Sequence, residues 1–439
     1  MKWENLLSLK RHGDSLKRLR SEQDETRVGF DVDYDRIVFS SFFRTLQDKT
    51  QVVPFSKTSF VHTRLTHSLE VSVVGRSLGR TVGKHILEKY PYLNQIHGFQ
   101  TNDFGSIVAA ACLAHDIGNP PFGHSGESSI GDFFKIGDGQ KYKSELTKVQ
   151  YHDLCNFEGN ANGFKILTES KIGSPGGLRL SYATLGAFTK YPKASLPFEP
   201  TNNIKDKKYG FFSNQSDFFD EVARELGLKI GDSNYNRHPL AFLVEAADDI
   251  CYTLIDFEDG INLGWINEEF ALEYLIRLVK DSIDTKKYNS LQHRSERLAY
   301  LRALSVNSLI NDVTEIFLKN EESILNGEFS KSLLEKSIYK AQMKDILDLS
   351  IDKVYNSEEV IEKELKGYQA INHLLNVFVK ATINNQKNRT TAFDTLALAC
   401  IPKSFIHKNE DLYIQLLDVC CFVASLTDGK ALEWYKKMS

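Results

Sequence analysis

The sequence predicts an all-α protein, because apolar residues recur at helical spacing along most of the chain and strand-like alternation is scarce. The composition is that of a globular protein, with 41% hydrophobic and 26% charged residues among 439. We find no internal repeat, no low-complexity tract and no clear linker. The expected architecture is therefore a helical core over residues 1–265, with a helical C-terminal extension over residues 266–439 packed on it.

Three apolar segments of the first part of the chain are predicted to be helices. Residues 68–86 are apolar along one face, which is typical of an amphipathic helix. Residues 104–117 are almost wholly apolar, so this helix is expected in the core, with Gly118 as its stop. Residues 239–257 form another apolar helix, and Pro239 suits its first turn.

The rest of the chain combines further helices with one irregular region. Apolar periodicity predicts helices at residues 267–318, 331–354, 357–384 and 410–425. Residues 170–216 differ, because prolines and glycines interrupt them and a basic run follows at 205–208. We predict that the part around 190–215 is a long surface loop that contacts substrate, since long loops in compact domains are often functional.

Charge and cysteine usage limit the classes of function. The net charge is −4 at pH 7, so the chain as a whole is a poor binder of nucleic acid, and an anionic substrate would need a local cationic site. None of the six cysteines forms a CxxC pair, which favours reduced, buried thiols. The N-terminus has no apolar signal region, and no apolar run reaches the roughly 18 residues that span a bilayer. We expect a cytoplasmic protein without a membrane segment.

Four side chains form a candidate metal site. His115 and Asp116 follow the unbroken apolar run 107–114, where an unpaired carboxylate would cost several kcal/mol and therefore needs a partner. His67 starts the amphipathic helix, and Asp248 lies in the middle of another apolar helix. Two imidazoles and two carboxylates favour octahedral Mn²⁺, Mg²⁺, Fe²⁺ or Co²⁺ over a closed zinc site. A buried polar network whose members satisfy one another is the alternative.

The glycine- and proline-rich run 117–127 would form a compact turn near this cluster. Within it, His124 and Glu127 are three residues apart and can face each other if Ser125 begins a helix. A carboxylate beside an imidazole orients the ring and raises its pKa, which suits a general acid or base. The pattern is equally well explained by Glu127 in a first helical turn and His124 as a loop residue.

A polar stripe continues along the helix that carries Asp248. Asp248, Tyr252 and Asp256 share one face at four-residue spacing, so Asp248 can reach a cation while the other two could hydrogen-bond a sugar hydroxyl. A stripe satisfied by neighbouring side chains or water is the alternative. Asp249 is expected to point elsewhere, although the adjacent pair leaves open which aspartate is the ligand.

Cationic donors for a phosphate can also be named. Arg64 lies three residues before His67, where it could reach a phosphate on the bound metal. Lys190 and the lysines of 205–209 supply further donors, although such lysine runs are usually solvated surface.

The order of several motifs resembles the deoxyguanosine-triphosphate triphosphohydrolase family of the HD superfamily. They are RTLQDKTQV (44–52), HTRLTHSLEV (62–71), HDIGNPPFGHSGE (115–127), NFEGNANGF (156–164), YATLGAFTKYP (182–192), KYGFF (208–212) and RHPLAFLVEAADDICYTLIDFEDGI (237–261). The likeness is strong over about residues 30–265. It is weaker beyond, where FVASLTDGKALEWY (422–435) is similar to the closing helix of the family.

The resemblance implies a role for each matching residue. The implied metal ligands are His67, His115, Asp116 and Asp248. The implied catalytic histidine is His124, supported by Glu127. The implied substrate contacts are Arg64 to phosphate, Lys190 and Tyr191 along the nucleotide, Tyr252 and Asp256 at the 3′-hydroxyl, and Gln47 or Gln51 near the sugar. Asn119 departs from the pattern, because some relatives have a phosphate-contacting histidine there.

The activity implied is metal-dependent hydrolysis of a dNTP, above all dGTP, to deoxynucleoside and triphosphate. One divalent ion is expected per site, manganese or magnesium before iron, cobalt or nickel. The resemblance also implies a symmetric homo-oligomer, a tetramer or hexamer, and a nucleotide or single-stranded DNA as effector. The alternatives are an HD phosphohydrolase acting on nucleoside monophosphates or cyclic dinucleotides, and a nucleotide-sensing regulatory scaffold.

Overall fold

A computed structural model describes residues 1–55, 61–170, 176–198, 201–405 and 411–439. Within these ranges the protein is all-α, as predicted, and no β-sheet is formed. Two isolated bridges, Thr50 with Thr63 and Lys229 with Tyr235, are the extended pairings found there.

The α-helices are numbered in chain order. The first part of the chain contains α1 (Trp3–Leu6), α2 (Gly29–Val38), α3 (Ser41–Thr45), α4 (Arg64–Lys89), α5 (Tyr92–Gln95), α6 (Thr101–Ala114), α7 (Gly123–Lys135), α8 (Lys148–Cys155), α9 (Gly159–Thr168), α10 (Tyr182–Phe188), α11 (Ser216–Leu226) and α12 (Pro239–Asn262). The second part contains α13 (Glu268–Val279), α14 (Thr285–Ser290), α15 (Arg294–Lys319), α16 (Glu321–Leu325), α17 (Lys340–Ser350), α18 (Glu358–Gln386), α19 (Ala392–Ala399), α20 (Leu412–Ser425) and α21 (Asp428–Met438).

The three helices predicted in the first part are confirmed, with shifted ends. The amphipathic helix is α4, which starts earlier because the side chains of Thr63 and Thr66 cap its first turn reciprocally. The apolar core helix is α6, which ends before His115 rather than at Gly118. The third is α12, with Pro239 in its first turn.

Helix α4 packs closely on α6 because three glycines face α6 at four-residue spacing. A Cβ added at Gly79 would lie 2.6 Å from the carbonyl oxygen of Phe104, and one at Gly83 would lie 2.7 Å from the Phe104 ring. At Gly75 it would meet the Cys112 sulfur at 2.4 Å. The two helices therefore approach backbone to backbone, and α4 can hold His67 close to the C-terminal end of α6.

The helical prediction for 267–318 is confirmed in part, because the segment is interrupted between α13, α14 and α15. Two sets of helix-starting interactions divide this segment into α13, α14 and α15. The Asp284 side chain accepts hydrogen bonds from two backbone N–H groups at the start of α14, and His293 and Glu296 cap α15 reciprocally. Such N-caps compete locally with helix continuation, and apolar periodicity does not reveal them.

The remaining helix predictions are confirmed in part. The segment 331–354 has a 3-10 turn at Leu334–Lys336 and is α-helical only from Lys340, where α17 starts; a wider turn continues it over Ile351–Tyr355. The helix predicted at 357–384 is α18. The one predicted at 410–425 is α20, which Asp411 caps, while residue 410 lies outside the described residues.

The region around 190–215 is largely irregular, as predicted, but it is not simply a surface loop. Four of its rings are buried, those of Tyr191, Tyr209, Phe211 and Phe212. The Tyr209 hydroxyl also donates hydrogen bonds to backbone carbonyl oxygens of residues 153 and 156. The expectation of solvent exposure was wrong at these positions, because large apolar rings gain free energy by leaving water. Residues 199–200 of this loop, and 171–175 before it, lie outside the described residues.

Two apolar clusters form the interior. The larger contains Phe104 of α6 and also Leu309 of α15. The smaller joins Phe133 of α7 to Phe378 of α18 and Phe422 of α20. Each cluster combines residues from both sides of position 265, so the division into core and extension stays a prediction.

An ion pair connects the start of α4 to the end of α12. The Nδ1 atom of His62 lies 2.8 Å from Asp259 Oδ1, and the His62 backbone N–H donates to Asp259 Oδ2 at 3.0 Å. The second ring nitrogen is 3.4 Å from Glu70. Burial alone would lower the pKa of His62, but the hydrogen bonds to Asp259 and Glu70 raise it to about 10.

This pair should make stability depend on pH. Because the folded-state pKa lies above the ordinary value of 6.5, the stabilisation is fully present below about pH 6.5 and is lost as the pH rises towards 10. The free energy of unfolding of the parent should exceed that of His62→Gln most at about pH 6, and the difference should vanish near pH 10. Urea denaturation at several pH values measures it. A difference that does not change with pH would contradict this assignment.

No single helix in the described part of the chain is long and apolar enough to cross a membrane. The bent pair of α20 and α21, at 113° to each other, meets the length and composition requirement only when both helices are taken together.

Candidate metal and nucleotide site

The four predicted metal ligands lie together, although they come from separate parts of the chain. The Nε2 atoms of His67 and His115 lie 3.1 Å and 3.3 Å from the same oxygen, Asp248 Oδ1. His115 Nε2 is also 3.5 Å from Asp116 Oδ1. Atoms that could ligate a metal on His67, His115 and Asp116 all lie within 4.8 Å of one another. Helices α4 and α12 and the end of α6 thus bring these side chains to one point.

The two imidazoles present the same nitrogen to this point. His115 Nδ1 lies 2.6 Å from the carbonyl oxygen of Cys112, so Nδ1–H donates that hydrogen bond and Nε2 is the nitrogen directed at the cluster. His67 is fully buried, and its Nδ1 has no hydrogen-bond partner among the described residues. This set of inward-facing imidazole and carboxylate atoms fits a divalent cation.

The two carboxylates of the cluster are ionised. Burial alone would raise the pKa of Asp116, but Arg64 and the two histidines lower it to about 2. Burial would also raise the pKa of Asp248, whereas Lys190 and His115 hold it well below its usual value. Negative charge is therefore concentrated where a cation would bind.

Two cations accompany these carboxylates. Arg64 Nη1 donates to Asp116 Oδ2 at 2.7 Å, and Lys190 Nζ donates to Asp248 Oδ2 at 2.6 Å. Gly123 leaves room for the arginine, because a Cβ there would lie 2.8 Å from Arg64 Nη2. Both cations also line the cavity described below, so they are placed to meet an anionic substrate.

A strained turn precedes α7 and sets the position of His124. Phe122 has a φ of 61° and Gly123 one of 55°, both in the left-handed region. His124 follows in the first turn of α7, where its Nδ1 lies 2.7 Å from Glu127 Oε2. The other Glu127 oxygen accepts the backbone N–H of Gly159 at 2.8 Å. The interpretation in which the two side chains face each other is therefore confirmed, and the alternative is wrong, because His124 belongs to α7 rather than to a loop and Glu127 follows the first turn.

The surroundings of Glu127 favour its ionised form and leave His124 exposed. Burial alone would raise the pKa of Glu127, but its hydrogen bond with His124 and the charge of Lys208 lower it. The Glu127 side chain is 12% exposed and that of His124 is 86% exposed. Because this carboxylate accepts a hydrogen bond from Nδ1–H, the Nε2 atom of His124 faces the open side of the site.

These groups share one cavity of about 490 Å³, a volume suited to a small ligand such as a nucleotide. Most of the predicted site residues line it, namely Gln51, Arg64, His115, Asp116, His124, Glu127, Lys190, Tyr191, Asp248 and Tyr252. His67 lies behind Asp248 and is fully buried. Gln47 is exposed and does not line the cavity, so the geometry favours Gln51 of the two glutamines.

Asp256 also lies outside the cavity lining. It is fully buried, and its Oδ2 accepts the hydroxyl of Tyr355 at 2.6 Å, while its Oδ1 has no partner within the described ranges. The Tyr355 ring lies next to that of Tyr252, with 5.8 Å between centroids, and both rings line the cavity. The predicted contact of Asp256 with a sugar hydroxyl stays a prediction, and it would require Tyr355 to move.

Asp249 was predicted to point elsewhere, and this was wrong. It lines the same cavity as Asp248, because neighbours on a helix are separated by only about 100° and both can face a wide opening. Burial, together with Glu245 and Asp248, raises the pKa of Asp249 to about 8. Asp249 is therefore largely protonated at neutral pH, unlike Asp248.

Sequence reasoning missed part of the lining. Tyr355, Val360 and Glu364 reach the cavity from the C-terminal part of the chain. Their spacing of about one to two helical turns around the start of α18 is a weak signal, because it is common to any surface stripe. Lys207 and Lys208 also line it, as the basic run suggested.

The chain is similar to a known domain family and to several known proteins. The HD domain family model matches residues 64–156, which include three of the four predicted ligands. A deoxyguanosinetriphosphate triphosphohydrolase-like protein of Synechocystis is 40% identical over all of this chain and 99% of its own. One of Pseudomonas aeruginosa is 36% identical over the same shares. A deoxyguanosinetriphosphate triphosphohydrolase of Klebsiella pneumoniae is 31% identical over 86% of this chain and 81% of its own.

The helical fold, the His-Asp cluster and the matched domain define an HD-domain hydrolase. With relatives of this identity along the full length, the chain belongs to the deoxyguanosinetriphosphate triphosphohydrolase family. The family resemblance read from the motifs is thereby confirmed.

Proposed function

We propose that this protein is a metal-dependent dNTP triphosphohydrolase that prefers dGTP and releases deoxynucleoside and inorganic triphosphate. One observation carries the proposal: the cavity that holds the clustered His115, Asp116 and Asp248 also contains His124 and the cation of Arg64. The preference for dGTP rests on the names of the relatives.

The cation would be held by His67, His115, Asp116 and Asp248. When bound, it supplies Lewis-acid polarisation of a phosphoryl oxygen. Manganese and magnesium suit this mixed oxygen and nitrogen set, and iron, cobalt or nickel are compatible with it.

The chain's own residues account for the remaining chemistry. Water adds a hydroxyl to the α-phosphorus as the bond from phosphorus to the sugar 5′-oxygen breaks, and the remaining proton of the water passes to solvent. His124 gives its Nε2 proton to that oxygen, and Glu127 holds the ring by accepting a hydrogen bond from Nδ1–H. Arg64 and Lys190, with Lys208 further out, neutralise charge on the triphosphate.

The sugar and base would occupy the far side of the cavity. The rings of Tyr252 and Tyr355 offer flat apolar contact for the sugar, and Gln51 offers an amide whose Oε1 has no partner within the described residues. We also propose, from the family resemblance, a symmetric homo-oligomer and a cytoplasmic location.

Incubation with each of the four dNTPs tests this function. With Mn²⁺ or Mg²⁺ we expect chromatography to show deoxynucleoside and intact triphosphate in equal amounts, most with dGTP, and none after EDTA. Release of monophosphate and pyrophosphate would show cleavage at another bond. No turnover of any dNTP, with or without added nucleotide or single-stranded DNA, would refute the proposal.

A further inference from the structure

The segment between α20 and α21 reaches back to the candidate active site. Asp428 is 1% exposed, and its two carboxylate oxygens accept backbone N–H groups from two distant segments. Oδ2 accepts from Thr50 at 3.0 Å, and Oδ1 accepts from Phe122 at 3.1 Å. One side chain thus joins the C-terminal end of the chain to both the 44–52 motif and the turn before α7.

A second buried residue strengthens this connection. Lys49 is 2% exposed, and its Nζ donates to the carbonyl oxygens of Asn119 at 2.6 Å and Ala424 at 2.7 Å. The carbonyl of Ala424 belongs to the last turn of α20, and Asn119 follows the His-Asp pair by three residues. We call Lys49, Thr50, Phe122, Ala424 and Asp428, with these hydrogen bonds, the C-terminal clamp.

The clamp holds two stretches of backbone that line the cavity, around Thr50 and around Phe122. Thr50 precedes Gln51, and Phe122 precedes Gly123 and His124. Phe122 adopts a φ of 61°, which a non-glycine residue keeps only where its surroundings enforce it. The C-terminal part of the chain also contacts the Phe122 ring, since a Cβ at Gly367 of α18 would lie 2.3 Å from it. The C-terminal part of the chain therefore fixes the turn that aims His124.

The carboxylate of Asp428 is not needed to start its own helix. Thr427 caps α21 by accepting the backbone N–H of Lys430 at 3.2 Å. Asp428 instead directs both oxygens away from α21 into the region beside the cavity. Because the buried carboxylate of Asp428 binds two other segments and not its own helix, its role is to position those segments rather than to cap α21.

We propose that Asp428 is a positioning residue for the hydrolysis, acting by holding the Phe122 turn so that His124 faces the reacting phosphate. This inference rests on the proposed function. Residues 422–439, the last 18 of the chain, supply no candidate ligand, yet on this inference they determine the turnover rate through two hydrogen bonds from backbone N–H groups to Asp428.

The test compares Asp428→Asn with Asp411→Asn. An amide at 428 cannot accept both N–H groups, whereas Asp411 caps α20 at an exposed position outside the cavity. We expect D428N to lower kcat by about 10- to 100-fold with KM and Mn²⁺ affinity within about threefold, because small misplacements of a reacting group cost this much. D411N should keep the kcat of the parent. A parental kcat in D428N overturns the inference.

A double variant shows whether the effect passes through His124. In a His124→Ala background, D428N should cause little further loss, since the group that it positions is already absent. An equal loss in both backgrounds would overturn the assigned route. If D428N does not fold, Gly367→Ala, whose added Cβ would displace the Phe122 ring, is measured in the same cycle with the same expectation.

Hydrogen exchange supplies a readout that does not need turnover. The amides of Asn119 and of residues 122–127 should exchange faster in D428N than in the parent and D411N, even if no dNTP is hydrolysed. Unchanged exchange there overturns the clamp. An inactive parent with faster exchange in D428N would refute the proposed function and still support the role of Asp428 in holding this turn.

Discussion

Replacing Asp248 by asparagine is expected to abolish tight binding of Mn²⁺ and to reduce dNTP hydrolysis by at least about 10³-fold. A bound cation supplies several kcal/mol of charge stabilisation, and each 1.36 kcal/mol corresponds to about tenfold in rate. Asp248 is the residue that both imidazoles approach, through Nε2 of His67 at 3.1 Å and Nε2 of His115 at 3.3 Å. Calorimetric titration with Mn²⁺ and metal analysis after dialysis measure the first effect, and product chromatography measures the second.

Asp249→Asn is the matched control for this prediction. Asp249 lies on the same helix and lines the same cavity, but burial and its acidic neighbours raise its pKa to about 8. An amide therefore replaces a group that is mostly neutral already, so metal affinity should stay close to that of the parent. The reverse pattern, with loss in D249N and retention in D248N, would make Asp249 the ligand. For Asp248→Asn, circular dichroism would show whether loss of the ion pair with Lys190 impairs folding.

Replacing His124 by alanine is expected to lower kcat by about 10²- to 10⁴-fold while Mn²⁺ binding is retained. Loss of a positioned general acid has this magnitude. The His124 side chain is 86% exposed, so its removal should change the free energy of unfolding by no more than about 0.5 kcal/mol. Steady-state kinetics with dGTP, combined with a metal titration, separate the two effects.

The chain offers a close control for this variant in His85 on α4. His85 and Glu88 are also three residues apart on a helix and form an exposed pair at 3.4 Å, away from the cavity lining. His85→Ala should therefore hydrolyse dGTP at the rate of the parent. If His124→Ala also does so, the proton assigned to its Nε2 must come from elsewhere. Glu127→Gln should fall between the two, since its amide can donate to Nδ1 and favour the wrong tautomer.

The parts of the site that could be predicted are those with a local signal. His115 and Asp116 stand out because charge follows an unbroken apolar run, and His124 with Glu127 because of their spacing on a turn rich in glycine. Asp249 was misjudged because helical periodicity separates adjacent residues by too small an angle to exclude one from a broad opening. Direction relative to a cavity depends on how helices pack, which a single periodic pattern does not contain.

The contributions of the C-terminal part could not be predicted for a different reason. Tyr355 and Glu364 are more than 200 residues from the His-Asp pair, and no local pattern indicates which cavity they line. The same holds for Asp428, whose partners are Thr50 and Phe122. The division of 267–318 into three helices was missed because a capping side chain such as Asp284 can act within an otherwise helical pattern.

The glycines of α4 that face α6 have a consequence for ion selectivity. Since Gly79 brings main chain against main chain, no long side chain lies between α4 and α6 at this crossing, and the helix that carries His67 has little freedom to shift relative to the one that precedes His115. A metal site held by such closely packed helices adjusts little to the radius of the ion. Small rigid sites favour ions that require octahedral coordination over the larger calcium ion, which accepts varied coordination. Discrimination among cations would then originate in a row of residues that touch neither ion nor nucleotide.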